Sequence, residues 1–179
     1  MKVYLILLLA VAGLLAGCST SSNSGSVSYM DEYRGERFDT TTDTQLESSS
    51  MPGTQVWLNA SRVSQKYGVT LFYLDVHVES SLAWLAIGPG QTLILVVDNA
   101  EIRFDGIGSA DLRKTDKKSG KFLESAVYLS NASDIRKIAD AKEVKVKVIG
   151  KNGVLQSAFG PSNFAVYKKF VADFLDKQN

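Results

Sequence analysis

Residues 72–79 read Phe-Tyr-Leu-Asp-Val-His-Val-Glu, and their strict alternation of apolar with other side chains decides the fold class. Successive side chains of an extended strand point to opposite faces of a sheet. Four apolar side chains therefore share one face: Phe72, Leu74, Val76 and Val78. A strand that is apolar on one face is typical of a sheet that packs one side on a core. We predict a strand over residues 67–79 whose apolar face is buried.

Six other stretches have the composition of strands and lie on both sides of this one. They are residues 55–60, 92–98, 101–104, 122–129, 143–149 and 154–159. The pairs Asp98-Asn99 and Asn152-Gly153 each lie between two of these stretches, and such pairs favour tight turns between antiparallel strands. The sequence therefore predicts a mostly antiparallel sheet of about seven strands.

Two stretches follow the helical period instead. Asn131 can cap a helix over about residues 132–141, and apolar residues recur there at helical spacing. Gly160-Pro161-Ser162 ends a strand and begins a second helix over about residues 161–176, which carries a broad apolar and aromatic stripe. We expect the stripe to be part of the core rather than a ligand groove. Both helices are expected to pack on one face of a curved sheet, which gives an α+β fold.

The chain begins with Met1-Lys2 and continues with an uncharged, apolar stretch over residues 3–16. A membrane-spanning helix needs about 20 such residues, whereas the core of a secretion signal needs only about 7 to 15. The stretch ends in Leu15-Ala16-Gly17-Cys18, which holds the only cysteine of the chain. These four residues resemble the lipobox of bacterial lipoproteins. The resemblance covers only this N-terminal part of the chain.

The resemblance implies that a diacylglyceryl group is attached to the thiol of Cys18 and that the preceding peptide bond is cleaved. The new amino group is then acylated, so that Cys18 becomes the first residue of a lipid-anchored chain. Two or more acyl chains anchor a protein stably, whereas one gives only marginal binding. Ser19 rather than Asp follows the cysteine, which in Gram-negative lipoproteins implies the outer membrane, with the domain facing the periplasm.

Three parts of the chain are predicted from these features. Residues 1–17 form the signal peptide, residues 18–50 a lipidated tether rich in Ser and Thr, and residues 51–179 a single α+β domain. The first residues of the tether could not bury enough apolar surface to become ordered, although a short ordered edge element over residues 34–38 is an alternative. The chain has a formal net charge of +1, and the signal peptide carries one lysine, so the mature chain is neutral. This balance gives no electrostatic signature of nucleic-acid binding.

Few residues suggest catalytic chemistry. His77, the only histidine, lies two residues from Asp75 and from Glu79 on the same face of the strand, and these residue types can bind Zn²⁺. Their Cα atoms span about 13 Å along an extended strand, which is too far for one ion unless the strand bends. We therefore expect a solvated polar patch. A site that combines two of these residues with a distant ligand is the alternative.

The remaining motifs are incomplete. Residues 106–110 lack the spacing of a nucleophile elbow, and residues 150–153 lack the Gly-Lys-Ser/Thr ending of a phosphate loop. A basic cluster over residues 113–121 is interrupted by Asp116, and such clusters are usually solvated. We therefore expect no enzymatic activity, no metal and no cofactor.

Three functions from different classes follow from these expectations. The favoured one is a membrane-anchored lipoprotein with a non-catalytic binding or assembly role in the cell envelope, and with another envelope protein as its partner. The second is a carrier or sensor of a small apolar ligand held between the sheet and the C-terminal helix. The third is a metal-dependent envelope hydrolase that uses Asp75, His77 and Glu79.

Overall fold

The computed structural model describes residues 25–42, 44–66 and 68–177. These residues form an α+β fold with ten strands, all of them paired antiparallel, and two α-helices. The predicted signal peptide, the lipobox and Cys18 lie outside the described residues. Within those residues, no helix has both the length and the apolar character required to cross a membrane.

The strands and helices have the following bounds. The strands are β1 (Ser26–Asp31), β2 (Glu36–Thr41), β3 (Thr54–Ser64), β4 (Thr70–Ser80), β5 (Gly90–Val97), β6 (Ala100–Gly106), β7 (Arg113–Thr115), β8 (Phe122–Ser130), β9 (Val144–Gly150) and β10 (Gly153–Ala158), and the helices are α1 (Ala132–Asp140) and α2 (Pro161–Phe174). The predicted count of about seven strands is wrong, because β1, β2 and β7 are additional. β7 has only three residues and β1 exposes four of its six, so neither carries the alternation by which a half-buried strand is recognised.

The boundary predicted between tether and domain also differs from the structure. β1 and β2 lie within residues 18–50, and they form a hairpin that pairs with β3. The Ser- and Thr-rich composition suggested a tether, but these hydroxyls are hydrogen-bonded within the sheet. Thr41 Oγ1 accepts from the Ala60 N–H at 2.9 Å, and the hydroxyl oxygens of Thr40 and Ser61 are 2.8 Å apart. The ordered domain therefore includes β1 and β2.

The order of the strands in the sheet is β1-β2-β3-β4-β8-β6-β5-β9-β10, with β7 paired to β8. Residues 44–50 follow β2 in the chain and pair with two strands, β3 and β10, that are not neighbours in this order. Gln45 pairs with Trp57 of β3, and Glu47 pairs with Ala158 of β10. This segment therefore connects β3 to β10 through backbone hydrogen bonds.

A glycine allows β6 and β8 to meet. The register between these strands joins Gly106 to Tyr128. A Cβ atom at Gly106 would lie 2.6 Å from a carbon of the Tyr128 ring, closer than two such atoms can approach. The Tyr128 hydroxyl is 3.0 Å from the hydroxyl of Thr92 in β5, so this ring also connects to the next strand of the sheet.

One face of the sheet, called here the inner face, is buried together with both helices. Its side chains from the central strands are Val56, Leu58, Ala60, Leu74, Val76, Val78, Ala126 and Tyr128. Ile135 and Ile138 of α1 and Tyr167 and Phe170 of α2 belong to the same hydrophobic cluster. The Tyr167 hydroxyl donates to the carbonyl of Leu58 at 3.1 Å, so the helix is also held to β3 by a hydrogen bond. The apolar stripe of α2 is therefore part of the core.

Candidate binding surface on the outer face

The face of β2, β3, β4 and β8 that points away from the helices is called here the outer face. It carries the side chains that alternate with the core residues: Phe38, Thr40, Trp57, Asn59, Ser61, Val63, Tyr73, Asp75, His77, Glu79, Ser125, Val127 and Leu129. The register places Asp75 between Asn59 and Val127. The outer face is thus a two-dimensional array of side chains whose neighbours follow directly from strand pairing.

Asp75, His77 and Glu79 share the outer face, but they do not converge on one point. Glu79 forms an ion pair with Lys121, His77 Nδ1 lies 2.7 Å from Ser125 Oγ, and Asp75 accepts a hydrogen bond from a serine of β3. Each side chain therefore has a different partner. Among the residues that the structure describes, no three or more His, Cys, Asp or Glu side chains are grouped so as to hold a metal ion.

A groove of about 550 Å³ lies on the outer face beside the β1–β2 hairpin and is called here the outer groove. The residues along it are Tyr29, Arg34, Glu36, Phe38, Asp39, Thr40, Ser61, Val63, Gln65, Leu71, Tyr73, Asp75 and Val127; Asp39 belongs to this lining although its carboxylate is bound by Arg62 on the inner face. Its volume is within the range of sites that hold small ligands or single side chains, about 300 to 1,000 Å³. β1 and β2 supply one side of the groove, and β3 and β4 form its floor.

One half of the outer groove is apolar. The rings of Tyr29 and Phe38 stack with their centroids 4.9 Å apart and their planes 2° from parallel. Phe38 lies opposite Val63, and Val63 in turn lies opposite Leu71. Tyr29 is 55% exposed, so this apolar row is open to solvent rather than covered by another element.

The other half of the outer groove is polar and centres on Asp75. Ser61 donates its hydroxyl hydrogen to Asp75 Oδ2, and the Ser61 oxygen is 2.8 Å from that of Thr40. The second carboxylate oxygen, Oδ1, has no hydrogen-bond partner among the described residues. Burial raises the pKa of the Asp75 carboxyl, and the hydrogen bond from Ser61 and the charge of His77 reverse only part of this rise.

The rim of the groove leaves a second carboxylate without a basic partner. Glu36 Oε1 accepts a hydrogen bond from Gln65 Nε2 at 3.2 Å, and Glu36 takes part in no ion pair within the described ranges. Arg34 is close to Asp31, but the nearest approach of the charged atoms is 4.0 Å and both side chains are partly solvated. The groove therefore combines two weakly compensated carboxylates with an apolar row.

A second groove of about 380 Å³ continues from the first across β8. Its residues are Tyr73, Asp105, Gly106, Ile107, Val127 and Leu129, of which Tyr73 and Val127 line both grooves. Ile107 is 79% exposed and Leu129 60% exposed. The two grooves together form a continuous surface that is polar near Asp75 and apolar near Leu129.

Asp39 is a carboxylate on the inner face, and its environment differs from that of Asp75. Arg62 donates to Asp39 Oδ2 through Nε at 3.0 Å and Nη2 at 2.6 Å, while Arg37 Nε and Ser28 Oγ donate to Oδ1 at 3.0 and 2.5 Å. Burial raises the pKa of Asp39, but these hydrogen bonds outweigh burial and hold the pKa below its ordinary value. Arg62 also donates to the carbonyl of Phe174 at the end of α2. This buried pair is part of the structural core.

Part of the predicted basic cluster over residues 113–121 has a structural role. Glu124 is only 2% exposed, and its carboxylate accepts from the backbone N–H groups of Ala86 at 3.0 Å and Ile87 at 2.7 Å. Arg113 Nε approaches the same carboxylate at 3.3 Å. These contacts fix the loop before β5 against β8, so Arg113 is not an exposed binding residue.

The sequence placed Asp75 on the correct strand, but it did not reveal the outer groove. The groove depends on β1 and β2, which lie in the stretch predicted to be a tether. The alternation of Phe38 and Thr40 in β2 was the available signal, and it spans too few residues to stand out among the polar neighbours. Comparison of the chain with protein-family models, with curated proteins and with solved structures found no match.

Proposed function

We propose that this chain is a lipid-anchored, non-catalytic module of the bacterial cell envelope, and that it binds a partner protein through the outer groove. The anchor is the diacylated Cys18 that the lipobox resemblance implies. Residues 19–25 connect it to β1, and the eight steps from Cys18 to Ser26 span at most about 28 Å when fully extended. The domain would therefore work close to the outer membrane, on its periplasmic side.

The observation that carries this proposal is an open groove with apolar and acidic side chains on the paired strands of the sheet. Large side chains such as Tyr29, Ile107 and Leu129 are more than half exposed on or beside the groove. Contiguous exposed apolar surface of this kind marks interaction sites more often than scattered single residues do. Binding residues on neighbouring strands are also held more precisely than residues on loops.

We further infer that the sheet curves around its core. Residues 44–50 hydrogen-bond to both β3 and β10, which are separated by five other strands in the sheet. A sheet that brings these strands to two sides of one segment has to bend toward the helices. A partner can approach the outer face without meeting α1 or α2, since both helices pack on the inner face.

The two alternative functions have less support. A ligand between the sheet and α2 would compete with Tyr167, Phe170 and Leu58, which are 0% exposed and packed together there. A hydrolase based on Asp75, His77 and Glu79 would need these side chains to act on one substrate atom, whereas each has its own separate partner. Binding in the outer groove would require no rearrangement of the core or of β4.

Site-specific photocrosslinking tests the proposal. A photoreactive phenylalanine analogue replaces Tyr73 in the full chain, which is expressed in its source cell, and the matched control carries the analogue at Lys168, exposed on α2. We expect a discrete protein adduct from the groove position and none from the control. With Cys18→Ser, the chain should leave the membrane fraction and the adduct should become weaker.

Two results would contradict the proposal. Equal adducts from both positions would mean that contact with the groove is unspecific. Mass spectrometry that finds an unmodified N-terminus, or retention of the Cys18→Ser chain in membranes, would remove the lipid anchor from the proposal. A purified adduct partner that also binds the wild-type chain in solution, and does not bind a groove variant, completes the positive case.

A further inference from the structure

The outer groove contains two carboxylates, Asp75 and Glu36, that have no ion-pair partner among the described residues. Asp75 lines the groove, and its Oδ2 accepts from Ser61, but its Oδ1 has no hydrogen-bond partner and Asp75 forms no ion pair among the described residues; Arg34, which also lines the groove, lies beside Asp31 instead. Glu36 at the rim also has no ion-pair partner there. A partly buried carboxylate gains most from a cation that reaches it away from bulk water, because the interaction is then less screened.

The shape of the groove restricts the form of that cation. A long aliphatic stem fits the apolar row of Tyr29, Phe38 and Val63, with its charged end at Asp75. A compact ammonium group at the end of such a stem can donate three hydrogen bonds, and the oxygens of Ser61 and Thr40 are acceptors beside the carboxylate. This combination describes the side chain of lysine.

The second groove indicates which type of residue lies near the lysine in the bound segment. Tyr73 and Val127 line both grooves, and Val127 is directly across the strand pair from Asp75. Neighbouring strands are about 4.8 Å apart, and residues i and i+2 of an extended peptide are about 6.8 Å apart on the same side. An extended segment whose lysine places its ammonium group at Asp75 can therefore direct the side chain two positions away toward the apolar surface of Leu129 and Ile107.

We infer that the outer groove recognises an extended segment of the partner protein in which a lysine and a large apolar residue are separated by one residue. The lysine ammonium group binds Asp75 in the first groove, and the apolar side chain packs on Ile107 and Leu129 in the second. This inference rests on the proposed function, since it gives the chemistry of the partner segment at the same site. The specificity comes from the single positive charge of the lysine at Asp75 together with the apolar contact in the second groove.

A peptide titration tests the inference on the full, lipidated chain. The chain is placed in phosphatidylcholine nanodiscs, which carry no net charge, and empty nanodiscs provide the blank. The probe is a fluorescently labelled peptide of sequence Gly-Ser-Lys-Gly-Leu-Ser-Gly, and binding is followed by fluorescence anisotropy. A second peptide has acetyl-lysine at the same position, which removes the charge and keeps the stem. A third has serine in place of leucine.

The expected result is a double dependence on Asp75 and on the lysine charge. Asp75→Asn should weaken binding of the lysine peptide by about tenfold or more, the usual cost of losing a hydrogen bond between charged groups. The same substitution should leave binding of the acetyl-lysine peptide unchanged. The control, Asp140→Asn on α1, removes an equal charge from an exposed position outside both grooves and should change nothing. Leu129→Ser should weaken the leucine peptide but not the serine peptide.

Several outcomes would overturn the inference. They are absence of binding up to about 1 mM peptide, equal affinity for the lysine and acetyl-lysine peptides, and equal effects of Asp75→Asn and Asp140→Asn. The unfolding midpoint of each variant shows whether it remains folded. If crosslinking from the groove captures a partner and its binding does not depend on a lysine, this inference fails while the proposed function stands. If crosslinking captures nothing, the proposed function fails first.

Discussion

Asp39 and Asp75 lie on the two strands that flank β3, and the fold surrounds them with opposite environments. Asp39 is on the inner face, where Arg62, Arg37 and Ser28 satisfy both of its oxygens and lower its pKa. Asp75 is on the outer face with a single donor, and burial raises its pKa. The first carboxylate is fully used by the structure. The second carboxylate retains an oxygen, Oδ1, that has no hydrogen-bond partner among the described residues and is available to a binding partner.

The same difference separates the two faces as a whole. On the inner face, apolar side chains meet partners from α1 and α2 and are removed from water. On the outer face, apolar side chains of similar size, such as Leu129 and Ile107, remain exposed. Substitutions on the inner face should therefore affect stability, and substitutions on the outer face should affect binding. Four predictions test this division, all by urea unfolding of the full chain in a mild non-ionic detergent.

Truncation of the α2 core residue Phe170 should have the largest effect. Phe170 is 0% exposed and packs against Phe174 at a centroid distance of 5.2 Å. Phe170→Ala should lower the free energy of unfolding by about 4 kcal/mol, because it removes buried apolar area and leaves a cavity. The matched outer-face variant is Tyr29→Ala, which should cost about 1 kcal/mol, since that ring is half exposed and stacks on only one neighbour.

Similar losses in these two variants would contradict the division between faces. They would mean that the stacked pair of Tyr29 and Phe38 is part of the stabilising core rather than a binding surface. Unfolding that remains a single transition with an unchanged slope in both variants shows that the comparison concerns stability alone.

The charged pair on the inner face should give the next largest effect. Asp39→Asn leaves Arg62, which is 7% exposed, without its anionic partner, and an unpaired buried charge costs about 3 kcal/mol. The effect should depend on pH in a defined direction. Because the folded-state pKa of Asp39 is below the ordinary value of 3.8, its stabilising contribution is complete above that value and is lost as the pH falls through the folded-state pKa.

The measurement is the unfolding free energy of wild type and Asp39→Asn between about pH 2 and pH 7. The two curves should be furthest apart near neutral pH and should approach each other in acid. A difference that stays constant over this range would show that the substitution disturbs packing and that the charge of Asp39 is not responsible.

The inner face could be predicted from the sequence, because burial leaves a periodic signal. In the predicted alternation, Leu74, Val76 and Val78 are buried, and Phe72 is partly buried against the same cluster. The helical spacing in α1 and α2 also corresponds to side chains of this cluster. The N-terminal cap of α1 was also predicted from the sequence. In the structure the Asp134 N–H donates to Asn131 Oδ1 at 2.9 Å. These features are local in the chain and repeat at a fixed period, which is why single-sequence reasoning recovers them.

The outer groove could not be predicted in the same way. It needs β2 to pair with β3, and the residues of these strands that meet, such as Phe38 and Val63, are far apart in the sequence. The composition around β2 is rich in Thr and Asp, which favours a tether when read locally. Pairing with an existing sheet edge overrides that preference, because Thr40 and Thr41 then have partners on β3.

The third prediction concerns Asp75, and its sign is opposite to that for Asp39. The folded-state pKa of Asp75 is raised, so the folded protein binds this proton more tightly than the unfolded chain does. Ionisation of Asp75 therefore reduces stability as the pH rises from below 3.8 through the folded-state pKa. Asp75→Asn should leave the protein as stable as wild type or up to about 1 kcal/mol more stable at pH 7, and this gain should shrink in acid.

The control for Asp75→Asn is Asp140→Asn, which removes a charge from an exposed position on α1. A loss of more than about 1 kcal/mol at neutral pH in Asp75→Asn would show that this carboxylate stabilises the fold as Asp39 does. The contrast between the two aspartates would then be wrong, and the basis for a cationic partner at Asp75 would be lost.

The smallest effect is expected for His77→Ala, and it separates a binding module from an enzyme. The His77 ring is exposed, and its one hydrogen bond among the described residues is with Ser125 at 2.7 Å, so its removal should change stability by less than about 0.5 kcal/mol. Partner adducts formed from the groove position should also be unchanged, because His77 lies beyond Asp75 along β4 and does not line the outer groove. A loss of adducts without a loss of stability would move the binding surface along β4, to the region of Trp57 and Ser125. The hydrolase alternative requires His77, whereas binding in the outer groove does not. Unchanged stability and unchanged adducts in His77→Ala would therefore agree with the binding module.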